Sequence, residues 1–332
     1  MTKTTDAPGS APYSGLTPDV ALDALEAAGL APDGRLLALN SYENRVYQAG
    51  TLQGGLLVAK FYRPGRWSDA QILEEHAFTR ELAERELPVV APLDLAAGGT
   101  LSASGEFRFA VYPRRGGRAP ELDRAGTLEW MGRFLGRIHA VGALRPFVER
   151  PELDIDTFGI EPRNFLLEQG FVPPPIERAW ASVADHALDL VEHCYERAGV
   201  VRMLRLHGDC HGGNVLWTEP EGPHFVDFDD ARMGPAVQDL WMLLSGDARA
   251  MRLQLDEVLR GYEEFAEFDP RELNLLEALR TLRLIHYSAW IARRWGDPAF
   301  PAAFPWFDTP QYWQDRILEL REQIALMEEA PL

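Results

Sequence analysis

Lysine is almost missing from this sequence. Only Lys3 and Lys60 occur among 332 residues, and the other thirty-one of its thirty-three cations are arginines. Cysteine is as scarce: Cys194 and Cys210 are too few to staple a fold and lack the paired spacing of a zinc site, which suits a reducing compartment. Positive charge is short overall, with 33 Lys and Arg against 51 Asp and Glu and a formal net charge of −18. Nucleic-acid backbones are bound through clustered cations, so a nucleic-acid partner is not expected. No run of about 18 apolar residues is present, and the N-terminal stretch has no apolar segment of signal-peptide length. The expectation is a cytoplasmic protein without membrane contact.

What is present reads as two lobes, because the length exceeds that of one ordinary core. Residues 1–14 are expected to be a disordered tail, 15–113 an N-terminal nucleotide-binding lobe and 114–330 a C-terminal catalytic and substrate lobe. Thr17, Pro18 and the apolar Val20, Leu22 and Leu25 predict a short capped helix. Strands are predicted at 35–39, 45–49 and 56–62, broken by turn-rich stretches at 40–44 and 50–55. Ser68 and Gln71 make a capping box for a helix that turns Ile72, Leu73, Phe78 and Leu82 to one face. Two more strands are predicted at 92–95 and 107–112, before a flexible exit at 113–117. Helical periodicity then runs through 128–141, 175–198, 237–244, 251–265, 270–295 and 311–327, with a β-rich insert at 203–227. The predicted class is α+β, an antiparallel β lobe joined to a mainly α lobe.

The insert holds the densest polar cluster: His207-Gly208-Asp209-Cys210-His211-Gly212-Gly213-Asn214, then Val226-Asp227-Phe228-Asp229-Asp230. Phosphoryl transfer needs one carboxylate to orient and deprotonate a hydroxyl. It also needs an amide oxygen and a second carboxylate to hold Mg²⁺ against nucleotide phosphates. Asp209 and Asn214 have the separation of base and metal ligand in the kinase catalytic loop H-R-D-x-x-x-x-N. A turn at 219–222 returns the chain so that Asp227 lies beside Asn214. Asp209 is therefore the candidate base, Asn214 and Asp227 the candidate Mg²⁺ ligands, and Asp229 a candidate for a second Mg²⁺ or for polarising the first. Taken singly, such residues are commonly turn or cap residues; joined between apolar strands, they point to chemistry. Zinc bound by His207, Cys210 and His211 is disfavoured, since oxygen ligands dominate the cluster.

Lys60 closes the third predicted strand. In a chain that otherwise uses arginine, a retained lysine points to a compact charge held at nucleotide phosphates. Its helix partner is Glu74 or Glu75, Glu75 being preferred. Asp239 is expected to brace the catalytic loop by accepting hydrogen bonds, and His76 and His139 to be core residues.

The pair His207-Gly208-Asp209-x-His211-x-x-Asn214 and Val226-Asp227-Phe228-Asp229-Asp230 resembles the signature of the aminoglycoside phosphotransferase and choline kinase-like superfamily. With Leu39-Asn40-Ser41-Tyr42-Glu43-Asn44-Arg45-Val46-Tyr47, Lys60-Phe61-Tyr62-Arg63-Pro64, Gln71-Ile72-Leu73-Glu74-Glu75-His76 and Gly234-Pro235-Ala236-Val237-Gln238-Asp239-Leu240-Trp241, the chain is similar to the bacterial stress response kinase A family outside its terminal tails. That resemblance implies a two-lobed protein-kinase-like fold. It also implies ATP- and Mg²⁺-dependent phosphorylation of protein Ser and Thr by a cytoplasmic monomer in stress response and survival. It makes Asp209 the proton acceptor and Asn214 and Asp227 the Mg²⁺ ligands, and it sets Ser41 at the ATP phosphates. The chain departs from the kinase pattern in having no G-x-G-x-x-G there; residues 40–44 offer backbone N–H groups and small polar side chains instead. Two alternatives stay open. One is a small-molecule kinase for an amino alcohol, amino acid or aminoglycoside-like hydroxyl. The other is a nucleotide-binding module without catalysis, against which the presence of Asp209 speaks.

Overall fold

The computed structural model describes residues 11–219 and 221–332. Of the tail expected at 1–14, residues 1–10 lie outside the described residues. Residues 11–14 differ from that expectation: they form a turn in which Tyr13 is buried, its hydroxyl donating to the Glu43 carbonyl at 3.1 Å.

Helix α1 (Pro18–Ala27) opens the N-terminal lobe, with the Thr17 side chain accepting from the Val20 N–H. Strands β1 (Pro32–Leu39), β2 (Arg45–Thr51) and β3 (Leu56–Phe61) follow, then α2 (Asp69–Glu84) behind its reciprocal Ser68–Gln71 capping box. Strands β4 (Ser102–Ser104) and β5 (Phe107–Pro113) complete an antiparallel sheet in the order β1-β2-β3-β5-β4. Alternation along β3 sends Ala59 and Phe61 into a core shared with Leu25 of α1 and Phe109 of β5. It turns Lys60 to the opposite face. Residues 92–95, expected as a strand, are not one. Pro92 has no N–H to give, and the segment touches the sheet through the Leu93 N–H, which donates to Val111 O at 2.7 Å. The Leu95 N–H then turns to Gly99 O, and the short β4 takes the edge.

The second lobe contains α3 (Thr127–Gly142), α4 (Glu161–Glu168) behind a wide turn at Asp156–Ile160, and α5 (Pro174–Ala198). The insert supplies β6 (Leu204–Leu206), β7 (Val215–Thr218), β8 (Gly222–Phe225) and β9 (Arg232–Gly234). Helices α6 (Val237–Trp241), α7 (Ala248–Tyr262), α8 (Leu276–Arg293), α9 (Ala299–Ala303) and α10 (Pro310–Glu328) close the chain. The helix expected at 270–295 starts with a tighter turn at Pro270–Leu275, and the short α4 and α9 carried no sequence signal long enough to predict. Helices α3 and α7 meet backbone to backbone: a Cβ on Gly132 would lie 2.0 Å from Val258 O, and one on Gly261 2.0 Å from Glu129 O. Among the described residues no helix is long and apolar enough to cross a membrane.

Two segments clasp the β7–β8 hairpin. On one side the Val90 N–H donates to Phe225 O (3.0 Å) and the Phe225 N–H to Pro88 O (2.7 Å). On the other, Arg118 and Trp217 exchange backbone hydrogen bonds of 3.1 and 2.7 Å.

Candidate active site

The loop after β6 is shaped from below. Asp239, fully buried on α6, accepts the backbone N–H groups of His207 and Gly208, each at 2.9 Å, and faces His139 Nε2 at 3.1 Å. Tyr262 holds the other His139 nitrogen at 3.0 Å. Both expectations, Asp239 as a brace and His139 as a hydrogen-bonded core residue, match this arrangement. His207 Nδ1 accepts from the Asp209 N–H, so Nε2 carries the ring proton and donates to Val226 O at 2.9 Å. One imidazole thus ties the loop to the residue preceding Asp227. Gly208 has φ +84°, and a Cβ there would lie 2.1 Å from Asp230 O, so this position admits no side chain.

Asp209 lies in this loop. Arg283 Nη2 of α8 donates to its Oδ1 at 2.7 Å, and Asn214 Nδ2 donates to its carbonyl at 2.9 Å and its Oδ2 at 3.3 Å. Burial pushes the Asp209 carboxyl up, but His211 and Arg283 outweigh it and hold the group below its ordinary value. It is ionised at neutral pH, as a base must be.

Asp227 follows β8 with φ 60°, a left-handed conformation uncommon for a residue with a side chain and typical of functional sites. Lys60 Nζ donates to Asp227 Oδ1 at 2.8 Å and stands 3.1 Å from Asp229 Oδ1. Burial works against the Lys60 ammonium; the two aspartates prevail and hold its pKa well above the usual value. Asp229 is itself buried, and it accepts from Asn44 Nδ2 (3.2 Å) and from Arg66. Burial would raise its carboxyl, yet Lys60 and Arg66 bring it down to about 2. Asp230 binds Arg66 Nη2 and Arg232 Nη2 at 2.8 and 2.9 Å.

The structure therefore brings Asp209, Asn214, Asp227, Asp229 and Lys60 into one cleft. The partner of Lys60 differs from the one expected. Among the described residues its ion pairs are with Asp227 and Asp229 and not with Glu75. Glu75 is buried near that charge, and burial lifts its carboxyl to about 7 against the opposing pull of Lys60. Glu74 points elsewhere and accepts the backbone N–H groups of Val148, Glu149 and Arg150 at 2.6–2.8 Å. Ser41 is half-buried in the loop between β1 and β2; the hydrogen bond from that loop to the acidic cluster is the one made by Asn44. His76 is a satisfied core residue, with Nε2 2.7 Å from Tyr62 Oη and Nδ1 2.7 Å from Thr100 Oγ1.

The donor set suits Mg²⁺. Asn214 spends its Nδ2 on Asp209 and keeps its amide oxygen for a cation, while the half-exposed Asp227 carboxylate adds a hard oxygen ligand. Magnesium is commonly held by one or two carboxylates with the rest of its shell from phosphates and water. No group of three acidic, His or Cys side chains is gathered as a metal cage among the described residues, and such a shared site does not need one.

A family profile described as "Phosphotransferase enzyme family" matches residues 35–276. The chain belongs to that family. Over 320 residues it is 46% identical to stress response kinase A of Salmonella choleraesuis (strain SC-B67) and 46% identical to the serine/threonine protein kinase RdoA of Salmonella typhimurium, each covering 96% of both chains. Stress response kinase A of Escherichia coli (strain K12) is 45% identical over the same share. Two solved structures are similar at lower identity. The amicoumacin kinase hAmiN, in complex with AMP-PNP, Ca²⁺ and Ami, superposes with a TM-score of 0.73 at 19% identity over 94% of both chains. A microcompartment-associated aminopropanol kinase gives 0.71 at 18%, over 93% of this chain and 97% of that one. These two show the fold. This phosphotransferase is thus related to stress response kinase A, as its motifs indicated.

Three arginines of the phosphotransferase site were not singled out from sequence. Arg283 holds the Asp209 carboxylate, Arg66 joins Asp229 to Asp230, and Arg150 donates to the carbonyls of Asp229 and Ala231. Among thirty-one arginines none of them carries a local motif.

Proposed function

We propose that this phosphotransferase moves the γ-phosphoryl group of ATP to a Ser or Thr hydroxyl of a protein, acting as a cytoplasmic monomer in stress response. The observation that carries the chemistry is the linked series Asp209, Asn214, Asp227 and Lys60, in which an ionised carboxylate accepts a hydrogen bond from Asn214, a member of the donor set for a cation. The protein acceptor is supported by the relative named as a serine/threonine protein kinase. Asn214 and Asp227 are the residues to hold Mg²⁺, which supplies positive charge against the phosphates.

Asp209 orients the acceptor hydroxyl and takes its proton as the oxygen bonds to the γ-phosphorus and the bond from phosphorus to the ADP oxygen breaks. Lys60 adds a fixed ammonium for phosphate oxygens. Ser41 and Asn44 line the loop for the nucleotide. Glu75, neutralised in part by burial, acts behind Lys60 instead of as its ion-pair partner.

The test is incubation with Mg²⁺ and γ-labelled ATP, with and without a generic Ser/Thr protein acceptor, beside Asp209→Asn. Label on protein that vanishes in the variant is the expected result. Label confined to small hydroxyl compounds would replace the protein acceptor with a small molecule.

A further inference from the structure

A cavity of about 440 Å³ lies between the β3–α2 turn, residues 151–161 and helix α8, with Asp230 and Arg232 in its lining. One face of α8 leads there, because Arg283, His286, Trp290 and Arg293 recur at helical spacing. Arg283 at one end holds the candidate base, and the other three line the cavity. In a chain of net charge −18 the lining is locally basic, with five arginines against the carboxylates of Glu161 and Asp230.

Four of those arginines are fixed by the protein's own acids: Arg63 by Asp297 (3.0 Å), Arg66 and Arg232 by Asp230 (2.8 and 2.9 Å), and Arg294 by Glu43 (2.7 Å). A guanidinium has five N–H donors, so these pairs hold each fork in place without exhausting it. Arg293 differs. It is exposed, rests over the Phe165 ring at 5.2 Å and has no carboxylate partner among the described residues. Two further donors of lining residues, Trp67 Nε1 and Arg294 Nε, are buried without an acceptor, and an orphaned buried donor is costly. His286, stacked on Phe158 at 4.2 Å, is pushed down to about 3 by burial and then by Arg232, with Arg293 and Arg283 adding to it. The cavity has surplus donors, and Arg293 is the one cation of its lining left without a carboxylate partner among the described residues.

We infer that this cavity is an acceptor subsite for Asp or Glu side chains flanking the Ser or Thr at Asp209, with Arg293 as its specificity-determining residue. The inference rests on the protein-acceptor reading. A basic lining repels the cationic amino alcohols and aminoglycosides that would otherwise compete for such a cleft.

The full-length protein with ATP and Mg²⁺ is offered fluorescent peptides that share one neutral sequence with Ala at the acceptor position and differ only in Asp, Lys or uncharged flanks. Anisotropy should show the Asp-flanked peptide binding about tenfold tighter than the Lys-flanked one, less so as salt rises. Arg293→Glu should erase that preference and leave ATP binding unchanged. Equal binding of all three peptides, or a preference that survives Arg293→Glu, overturns the subsite. The same peptides with Ser at the acceptor position separate the two claims. Equal labelling whatever the flank removes the subsite but keeps the protein acceptor, whereas no label on any of them removes both.

Discussion

Lys60 and Asp227 come from different lobes and meet at 2.8 Å. The pair joins the only lysine among the described residues to a backbone held in a left-handed conformation, so the candidate phosphate-binding charge and the candidate metal-binding carboxylate lie side by side.

Replacing Lys60 by Met should lower kcat/KM for ATP by about 10²–10³, the range expected when a preorganised charge is lost from the transition state. Lys60→Arg should not restore it, because a planar fork does not reproduce a compact ammonium in a buried slot. Asp229 keeps Arg66 and Asn44, so unfolding by denaturant should show less than the about 3–5 kcal/mol lost when a buried charge is left alone. Steady-state kinetics and a urea titration read the two effects separately.

Arg283→Ala should move the acid limb of the kcat profile to higher pH. As the proposed base Asp209 must be ionised, and it is held low against burial by His211 and Arg283. Removing Arg283 lets its pKa rise, and activity is then lost sooner as pH falls. A pH profile that keeps its acid limb in place would show that Arg283 does not tune the base.

Asp239→Ala should destabilise the protein by about 3–5 kcal/mol, since it orphans two loop N–H groups and the His139 ring in a fully buried place. Asp239→Asn should fall between, because its Nδ2 would face an N–H that needs an acceptor. Thermal unfolding ranks the three proteins.

Glu272 gives a stability prediction away from the cleft. Burial raises its carboxyl from 4.5 to about 7, partly offset by its hydrogen bond from the Val237 N–H. The folded state therefore binds a proton that the unfolded state has released, and this contribution is full below about pH 4.5 and is lost as pH rises to about 7. Glu272→Gln keeps an acceptor for Val237 and does not titrate. It should match the parent at pH 4.5 and exceed it at pH 8 by up to about 3 kcal/mol, the free energy of such a shift. Equal pH slopes for the two proteins in denaturant titrations would refute this.

The sequence made the site's local parts legible, because Asp209, Asn214 and Asp227 are bound by short-range spacing and Lys60 stands out as a rare lysine at the end of a strand. It also foresaw the brace by Asp239. What it hid was long-range. Arg283 reaches Asp209 across 74 positions and Arg66 reaches Asp229 across 163, and no window along the chain holds both partners. The choice between Glu74 and Glu75 as the partner of Lys60 missed Asp227 and Asp229 for the same reason: helix periodicity finds which face is buried, but it does not find which charge arrives from another lobe. In the fold, the apolar pattern of 92–95 looked like a strand because burial and alternation are shared by strands and by buried loops, and Pro92 decided between them.

The clasped hairpin sets a last condition on how an acceptor chain is gripped. Strand β8 gives its outward groups at Phe225 to Pro88 and Val90, and β7 gives those at Trp217 to Arg118. The Val215 N–H is spent on Gly212 O, and Pro223 has no N–H. Among the described residues the β7–β8 pair, which follows the candidate catalytic loop, thus offers a passing peptide no open row of backbone donors and acceptors, and recognition by strand addition is closed there. Substrate selection at this site falls to side chains.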